Sequence, residues 1–257
     1  MKTNSYLFTG LLAVATAMPM AAAADAITFT GSGTGPGSVP VSASAIFDIS
    51  GNTLTITLRN TSVSNNGQDV PGSTLTGLLW DFTGNPLLTP VSATVAPGSS
   101  IIQANTCTTG LCAGATNVGG EFGYQGSSLG FGSDRGISSS GYLSTGLPGN
   151  LGNFNGTNLD NPNSLDGINF GIVSSSSGFN PNGGLSNDPL VQDAVVFILS
   201  GVNGLSINDI SHVSFQYGTS LTELNIPGDP TPMPEPTILS LLGLGLLGFS
   251  VIRKQKT

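Results

Sequence analysis

The chain has 257 residues, of which only 8% are charged, and its 14 acidic residues outnumber its 6 basic ones. This balance excludes nucleic acid as a partner, because phosphate binding needs clustered lysine and arginine, and it argues equally against anionic lipid head groups. Glycine (37 residues) and proline (16) are abundant and 38% of residues are hydrophobic, which favours strands joined by many turns over a wholly disordered chain.

The first 24 residues have the pattern of a secretory signal peptide. Lys2 gives a short positive region, residues 6–17 are apolar, and the small residues at 21–26 suit cleavage after Ala24 or Ala26. The apolar stretch is too short for a membrane span and ends in an alanine-rich cleavage pattern. We therefore predict that residues 1–24 form a signal helix and that the following residues are exported.

Alternating apolar residues predict strands through the exported body, residues 25–226. The runs at 41–49 and 54–58 alternate on either side of a turn at 50–52, which predicts a β-hairpin. Further strands are predicted at residues 78–82, 87–95, 194–199 and 213–217. The run at 194–199 is apolar on both faces, as in a central strand. This spacing predicts one mostly β domain, an antiparallel β-sandwich with jelly-roll character.

Cys107 and Cys112 are the two cysteines of the chain and enclose four residues. In an exported protein we predict that they form a disulfide, because the compartment is oxidising. The loop is small, so the bond would stabilise the fold by about 2 kcal/mol at best. A C-x4-C pair with one distant histidine is a poor zinc site, and the C-x-x-C redox spacing is absent.

The segment at residues 119–187 is rich in glycine, serine and asparagine, with aromatic residues spaced among them. These are Tyr124, Phe131, Tyr142, Phe154, Phe170 and Phe179. One interpretation is a set of long functional loops that carry aromatic platforms. The other is short strands, each with one aromatic ring packed on the core. The alternation at residues 167–172 favours the second.

No set of residues predicts a catalytic site. Residues 126–130 match the Gly-x-Ser-x-Gly nucleophile elbow, but no helical periodicity follows, and a chain rich in glycine and serine matches by chance. His212, the only histidine, is interpreted as a solvated residue on the polar face of a strand. Two carboxylates about 5 to 10 Å apart could cleave glycosides, although the sequence selects no pair. We therefore predict a non-enzyme, with a secreted carbohydrate-active hydrolase as the alternative.

No cofactor or metal site is predicted either. Residues 160–167 gather oxygen ligands, but Pro162 breaks the EF-hand order, so the segment could bind Ca²⁺ weakly and is more often a turn. Residues 25–229 hold two arginines and thirteen acids, a balance of −11, which solubility alone explains. The glycines at 31, 33, 35 and 37 precede a strand, so they are not a phosphate loop that opens a helix.

The C-terminal residues combine three unlike features in order. They are Pro234, Glu235 and Pro236 in a stiff, proline-rich linker at 227–236, an apolar run at 237–252, and a basic end that begins at Arg253. As a helix, the uncharged part of the run would reach roughly 22 Å, a marginal span of the ~30 Å hydrocarbon core. We predict that residues 237–257 form a transmembrane helix with a basic cytoplasmic tail. The prolines leave the linker extended and accessible, which suits a protease.

This tail resembles the PEP-CTERM sorting signal of exported proteins in Gram-negative bacteria, and residues 163–171 and 214–221 resemble stretches of such proteins. The resemblance implies transient anchoring in the inner membrane, cleavage near the Pro-Glu-Pro motif by exosortase, a membrane cysteine protease, and release to the cell surface or exopolysaccharide matrix. It implies no chemistry for the body. We therefore predict a non-enzymatic matrix protein, structural or glycan-binding, with exosortase, the inner membrane and extracellular polysaccharide as partners.

Overall fold

The computed structural model describes residues 25–63, 68–103, 116–127, 129, 132–140, 157–160, 168–176, 178, 180–181 and 184–231. Strands dominate these residues, and the helical elements among them are 3-10 turns of three residues each. The prediction of a mostly β body is confirmed.

Two large sheets and one short pair of strands make up the body. The six-stranded sheet consists of β1 Asp25–Gly35, β2 Val39–Ser50, β3 Thr53–Asn60, β6 Thr89–Val95, β14 Ala194–Ser200 and β17 Asp229–Thr231. The nine-stranded sheet consists of β5 Leu75–Phe82, β7 Ser100–Ile102, β8 Gly123–Gln125, β9 Arg135–Ser138, β10 Thr157–Asn158, β11 Ile172–Val173, β13 Leu190–Gln192, β15 Ile210–Tyr217 and β16 Asn225–Pro227. The short pair is β4 Gln68–Asp69 with β12 Asn180–Pro181.

The order of the first sheet is β17-β1-β2-β3-β14-β6, and the predicted hairpin forms its centre. Strands β2 and β3 pair in register from Ala43↔Asn60 to Ser50↔Thr53, so Gly51 and Asn52 make the turn. Strand β14 lies between β3 and β6, as predicted for a central strand. Its outer side chains at Val196 and Ile198 are only half-buried, so the strand is covered on one face rather than two.

The second sheet has the order β10-β8-β9-β5-β11-β13-β7, with β15 on β5 and β16 on β15. Most of its pairs are antiparallel, as predicted. Two parallel pairs were not predicted. They are β11 with β13 in this sheet and β4 with β12 in the separate short pair. A parallel pair needs a crossover of a dozen or more residues, and the chain between Val173 and Leu190 supplies one for the first pair.

The two sheets share one hydrophobic core. Phe47 from β2 packs edge-to-face on Trp80 from β5, with ring centroids 5.8 Å apart. Phe122, just before β8, packs in the same way on Phe197 from β14 at 5.0 Å. All four rings are fully buried. Both pairs join opposite sheets, and such contacts contribute about 0.5–1.5 kcal/mol each beyond the area that they bury.

At one corner of the body, β1 contacts β17 along one part of its length and β16 along the next. Strand β17 pairs with β1 only from Thr28 to Thr30, and β16 of the other sheet lies against the next part of β1. The described strands extend beyond the predicted boundary at 226, because β17 ends at Thr231. Pro230 is compatible with this strand because an edge strand does not need every N–H in the ladder.

Candidate functional site

The outer face of the six-stranded sheet carries hydroxyl and aliphatic side chains. Pairing in register places Thr28, Ile46, Thr57, Val196 and Thr94 in one row across five strands. All five side chains are half-buried or exposed. With strands about 4.8 Å apart, the row is about 19 Å long. It offers hydrogen bonds and short apolar contacts without charge, which suits a neutral polymer better than an ion.

A pocket of about 440 Å³ lies beside this face, at the corner where β1 meets β16 and β17. We call it the corner pocket. It is open to solvent and is lined by Thr30, Gly31, Ser32, Ser42, Ala43, Thr61, Ile226, Pro227 and Asp229. Pairing of Thr30 with Asp229 fixes one wall, and a 3.0 Å hydrogen bond from Thr61 Oγ1 to Ser42 Oγ fixes the opposite one.

The chemistry of the corner pocket is that of hydroxyl recognition. Four side-chain hydroxyls can each donate and accept, and the Asp229 carboxylate is a strong acceptor on an exposed edge. Ile226 and Pro227 add apolar surface on which the C–H groups of a ring could pack. The lining is mostly polar, which distinguishes the corner pocket from the mainly apolar sites that bind drug-sized molecules.

The sequence showed the serines of β2 as the polar side of an alternating strand, but it predicted neither the strand β1 nor a pocket. What completes the pocket is Asp229, almost 200 residues further along the chain. Only the pairing of β17 with β1 brings that carboxylate to Thr30. Nothing in the local pattern around residue 229 predicted this pairing.

His212 lies at an irregularity in β15 that turns its side chain towards β5. Its φ of 48° is unusual for a residue other than glycine, and the side chain is 72% exposed, so the interpretation as a solvated residue is confirmed. The partner of His212 was not predicted from the sequence. His212 Nδ1 lies 2.7 Å from Asp81 Oδ2, and Asp81 Oδ1 accepts a hydrogen bond from the Asp134 N–H. This is an oriented histidine, but the nearby Ser133 hydroxyl donates to the His212 carbonyl rather than to the ring.

No helix follows the nucleophile-elbow match among the described residues. Strand β8 precedes the match, and the described residues 132–134 bend into β9, whereas an elbow requires a helix after the turn. Ser127 is exposed, while Ser128 and Gly130 lie outside the described residues. Leu129 between them is buried.

Two of the aromatic residues in the glycine-rich segment can be placed. Tyr124 and Phe170 are both buried, at 4% and 2% exposure, and both belong to the main core. They are therefore core residues rather than exposed platforms, as the alternation favoured. Phe131, Tyr142, Phe154 and Phe179 lie outside the described residues.

The candidate calcium segment is described only at its first residue. Asp160 Oδ2 accepts a 2.8 Å hydrogen bond from Asn117 Nδ2, while residues 161–167 lie outside the description. Within the described ranges, no three His, Cys, Asp or Glu side chains gather as a metal site would require.

A buried arginine is the polar feature that the sequence gave no reason to expect. Arg135 in β9 is fully buried. Its Nη1 donates to the Pro86 carbonyl at 3.1 Å, its Nη2 donates to Asn85 Oδ1, and its Cζ lies 5.9 Å from the Phe82 ring centroid. All three neighbours are neutral. Pro86 and Asn85 accept hydrogen bonds from the guanidinium, but none of the three compensates its positive charge.

The remaining predicted residues lie outside the description. They are Cys107 and Cys112 of the predicted disulfide and Pro234, Glu235, Pro236 and Arg253 of the predicted sorting signal. None of the helices among the described residues is long and apolar enough to cross a membrane.

No protein-family model, no curated protein and no solved structure matches this chain. Its function is therefore inferred from its motifs and from the geometry of its own residues.

Proposed function

We propose that this chain is an exported, exosortase-sorted protein whose body acts at the cell surface or in the extracellular matrix as a non-enzymatic, glycan-binding or structural protein. In this proposal the body is a β-sandwich with jelly-roll connections, preceded by a signal helix and followed by a transmembrane helix. The observation that carries it is the tail, where Pro234, Glu235 and Pro236, an apolar run and Arg253 follow in order.

The position of the chain ends supports this proposal. Thr28 and Thr231 are paired in neighbouring strands, so the start and the end of the body meet at one edge. Pro234 is three residues beyond Thr231, a distance of about 10 Å at most in an extended chain. Before cleavage the body would therefore stand directly on the membrane, with the Pro-Glu-Pro motif in the narrow gap where a membrane protease works.

The corner pocket supports a glycan rather than another ligand. Its lining offers hydroxyls, one carboxylate and apolar surface, and no cation. The neutral row on the adjoining sheet face could continue the contact along a polymer. A sugar matches this surface because its hydroxyls need both donors and acceptors, while its ring C–H groups can pack on Pro227 and Ile226.

The second candidate, a hydrolase, rests on the cluster around Asp81. Asp81 contacts His212 through one oxygen and the Asp134 N–H through the other, so two acidic residues belong to one exposed cluster. A pair of carboxylates is what glycoside cleavage requires. The candidate is weaker because Asp81 is already engaged through both oxygens.

Sorting can be tested in a host that contains exosortase. The wild-type chain is expected to lose its C-terminal segment, whereas Glu235→Gln and deletion of residues 253–256 should leave an uncleaved precursor in the membrane fraction. Asp48→Asn, an equal charge change on the body, should be processed normally. Unchanged mass and location in both tail variants would contradict the sorting function.

Binding and cleavage can be separated with the host's extracellular polysaccharide. We expect retention of the purified protein on the polymer without release of reducing ends. Asp229→Asn should weaken retention about tenfold, as expected for one lost hydrogen bond to a charged group, whereas Asp48→Asn should not. Reducing ends that disappear in Asp81→Asn would instead establish the hydrolase. Neither retention nor cleavage would leave a purely structural role.

A further inference from the structure

The body contains only two arginines, and their surroundings differ in one respect. Arg59 is partly exposed and forms an ion pair with Asp193. Arg135 is fully buried, yet it forms no ion pair with any carboxylate among the described residues. A buried charge without an opposite charge is strongly unfavourable, so proteins almost always pair it. In a body with thirteen acids, an arginine without one requires an explanation.

Two further hydrogen-bond donors beside Arg135 also lack a partner. Trp80 is directly opposite Arg135 in the β5–β9 ladder, and the Trp80 and Tyr124 rings lie 6.1 Å apart. Trp80 Nε1, Tyr124 Oη and Arg135 Nε are all buried without a hydrogen-bond partner. Burial raises the pKa of Tyr124, and the Arg135 guanidinium lowers it in part through its charge and its nearness as a hydrogen-bond donor, although no hydrogen bond of normal geometry joins the two side chains.

The three unsatisfied groups can all act as donors. An indole N–H and a guanidinium N–H can only donate, and a phenol at neutral pH readily does so. A cluster of donors around one positive charge lacks an acceptor with negative charge. Buried polar groups are normally satisfied, so three unsatisfied donors on neighbouring side chains favour one shared acceptor over three separate explanations.

We propose that Arg135, Trp80 and Tyr124 form a binding site for a small anionic group, of which a carboxylate is the best match. Carboxylate oxygens accept charge-assisted hydrogen bonds from guanidinium, indole and phenol groups. The guanidinium end lies under the turn of residues 83–85, which is exposed, and Asn85 and Pro86 hold it there. The site is independent of the corner pocket and of the proposed function.

The carboxylate could belong to a free small acid or to an acidic sugar. Both present the same anionic group and differ in the size of what is attached to it. Formate and acetate represent the first source and glucuronate the second, with glucose as the neutral control. Trp80 is the only tryptophan in the chain, so all tryptophan emission comes from a residue of this site.

The test is a titration of the purified full-length chain with each acid at constant ionic strength, with a bulky sulfonate as the balancing anion. We expect a saturable change in Trp80 emission and a urea unfolding midpoint that rises with formate. Binding of glucuronate but not glucose would identify an acidic sugar as the source. Binding of formate and acetate alone would identify a free acid.

Arg135→Met should abolish the response, and Arg59→Met, which removes the same charge from the surface, should preserve it. If Arg135→Met does not fold, Tyr124→Phe removes one donor and should weaken the apparent affinity about tenfold. A response that does not saturate, that survives in Arg135→Met, or that is unchanged in Tyr124→Phe would overturn the proposal. So would the absence of any response, since a carboxylate of the chain itself would then neutralise Arg135.

Discussion

Replacement of Gly31 by alanine should destabilise the protein although it adds a single methyl group. Gly31 lies in β1 at the corner where β16 of the other sheet approaches. A Cβ atom at this position would lie 2.5 Å from the Pro227 carbonyl oxygen and 2.9 Å from Cδ2 of Phe215. Both distances are shorter than real Cβ contacts, and the first partner is backbone, so β16 itself would have to move.

The size of the effect follows from two opposing terms. Alanine is favoured over glycine inside a strand by about 0.5–1 kcal/mol, because glycine loses more conformational entropy on folding. Overpacking of a dense site costs about 1–3 kcal/mol, and a clash with both backbone and a buried ring belongs in the upper half of that range. The net loss should be about 1.5–2 kcal/mol. With a slope near 2 kcal/mol per molar urea, the unfolding midpoint should fall by about 0.8 M.

Gly33 provides a matched control in the same strand. A Cβ there would lie 3.0 Å from Cδ1 of Ile226, the flexible end of a side chain, so Gly33→Ala should change the midpoint very little. Urea unfolding followed by Trp80 emission compares the two variants directly. Equal midpoints for the two alanines, or a higher midpoint for Gly31→Ala than for wild type, would refute the close approach of the sheets at this corner.

Two further predictions concern buried polar groups. Burial raises the pKa of Tyr217, so its proton is held more tightly in the folded state. The contribution of this group to the free energy of unfolding should be fully present below the unfolded pKa of about 10 and should fall above it by up to about 1.4 kcal/mol per pH unit. Tyr217→Phe should reduce this slope in unfolding curves from pH 9 to 12 without loss of stability at pH 7. Asn60 is buried and donates to the Ser73 and Ile172 carbonyls, so Asn60→Ala should cost about 2–4 kcal/mol in urea unfolding, whereas an effect below 1 kcal/mol would show that these bonds do not join the sheets.

The strands that alternate strictly were predictable, and those governed by distant contacts were not. The hairpin of β2 and β3 is encoded locally, because Val41 to Ile49 and Leu54 to Leu58 alternate around a two-residue turn. In β15 the alternation that predicts a polar face for His212 predicts the same face for Gln216. Gln216 is instead fully buried and donates to the Tyr217 and Ser220 carbonyls, because β5 and the following turn cover it. A period-two pattern predicts which face of a strand is polar, but not whether a neighbouring element covers that face and accepts its hydrogen bonds.

The site was less predictable than the fold for a similar reason. Thr30 and Ser42 look like ordinary outward-facing strand residues, and Asp229 like part of a linker. The linker interpretation followed from the density of prolines at 227–236, which is a sound local argument. It overlooked that an edge strand tolerates proline, so Pro230 does not prevent pairing with β1. Arg135 gave no local signal at all, since its burial depends on the loop that holds Asn85 and Pro86.

The edges of the six-stranded sheet bear on how such a protein could work in a crowded matrix. An exposed edge strand invites pairing with another copy, which leads to aggregation. Both edge strands here contain a proline, Pro230 in β17 and Pro90 in β6. Cleavage at the Pro-Glu-Pro motif would leave β17 in place, because its last paired residue, Thr231, precedes the motif. The released body would keep both edges blocked while its hydroxyl face and corner pocket stay open. This arrangement favours contact with a polymer through the face over assembly of copies through the edges.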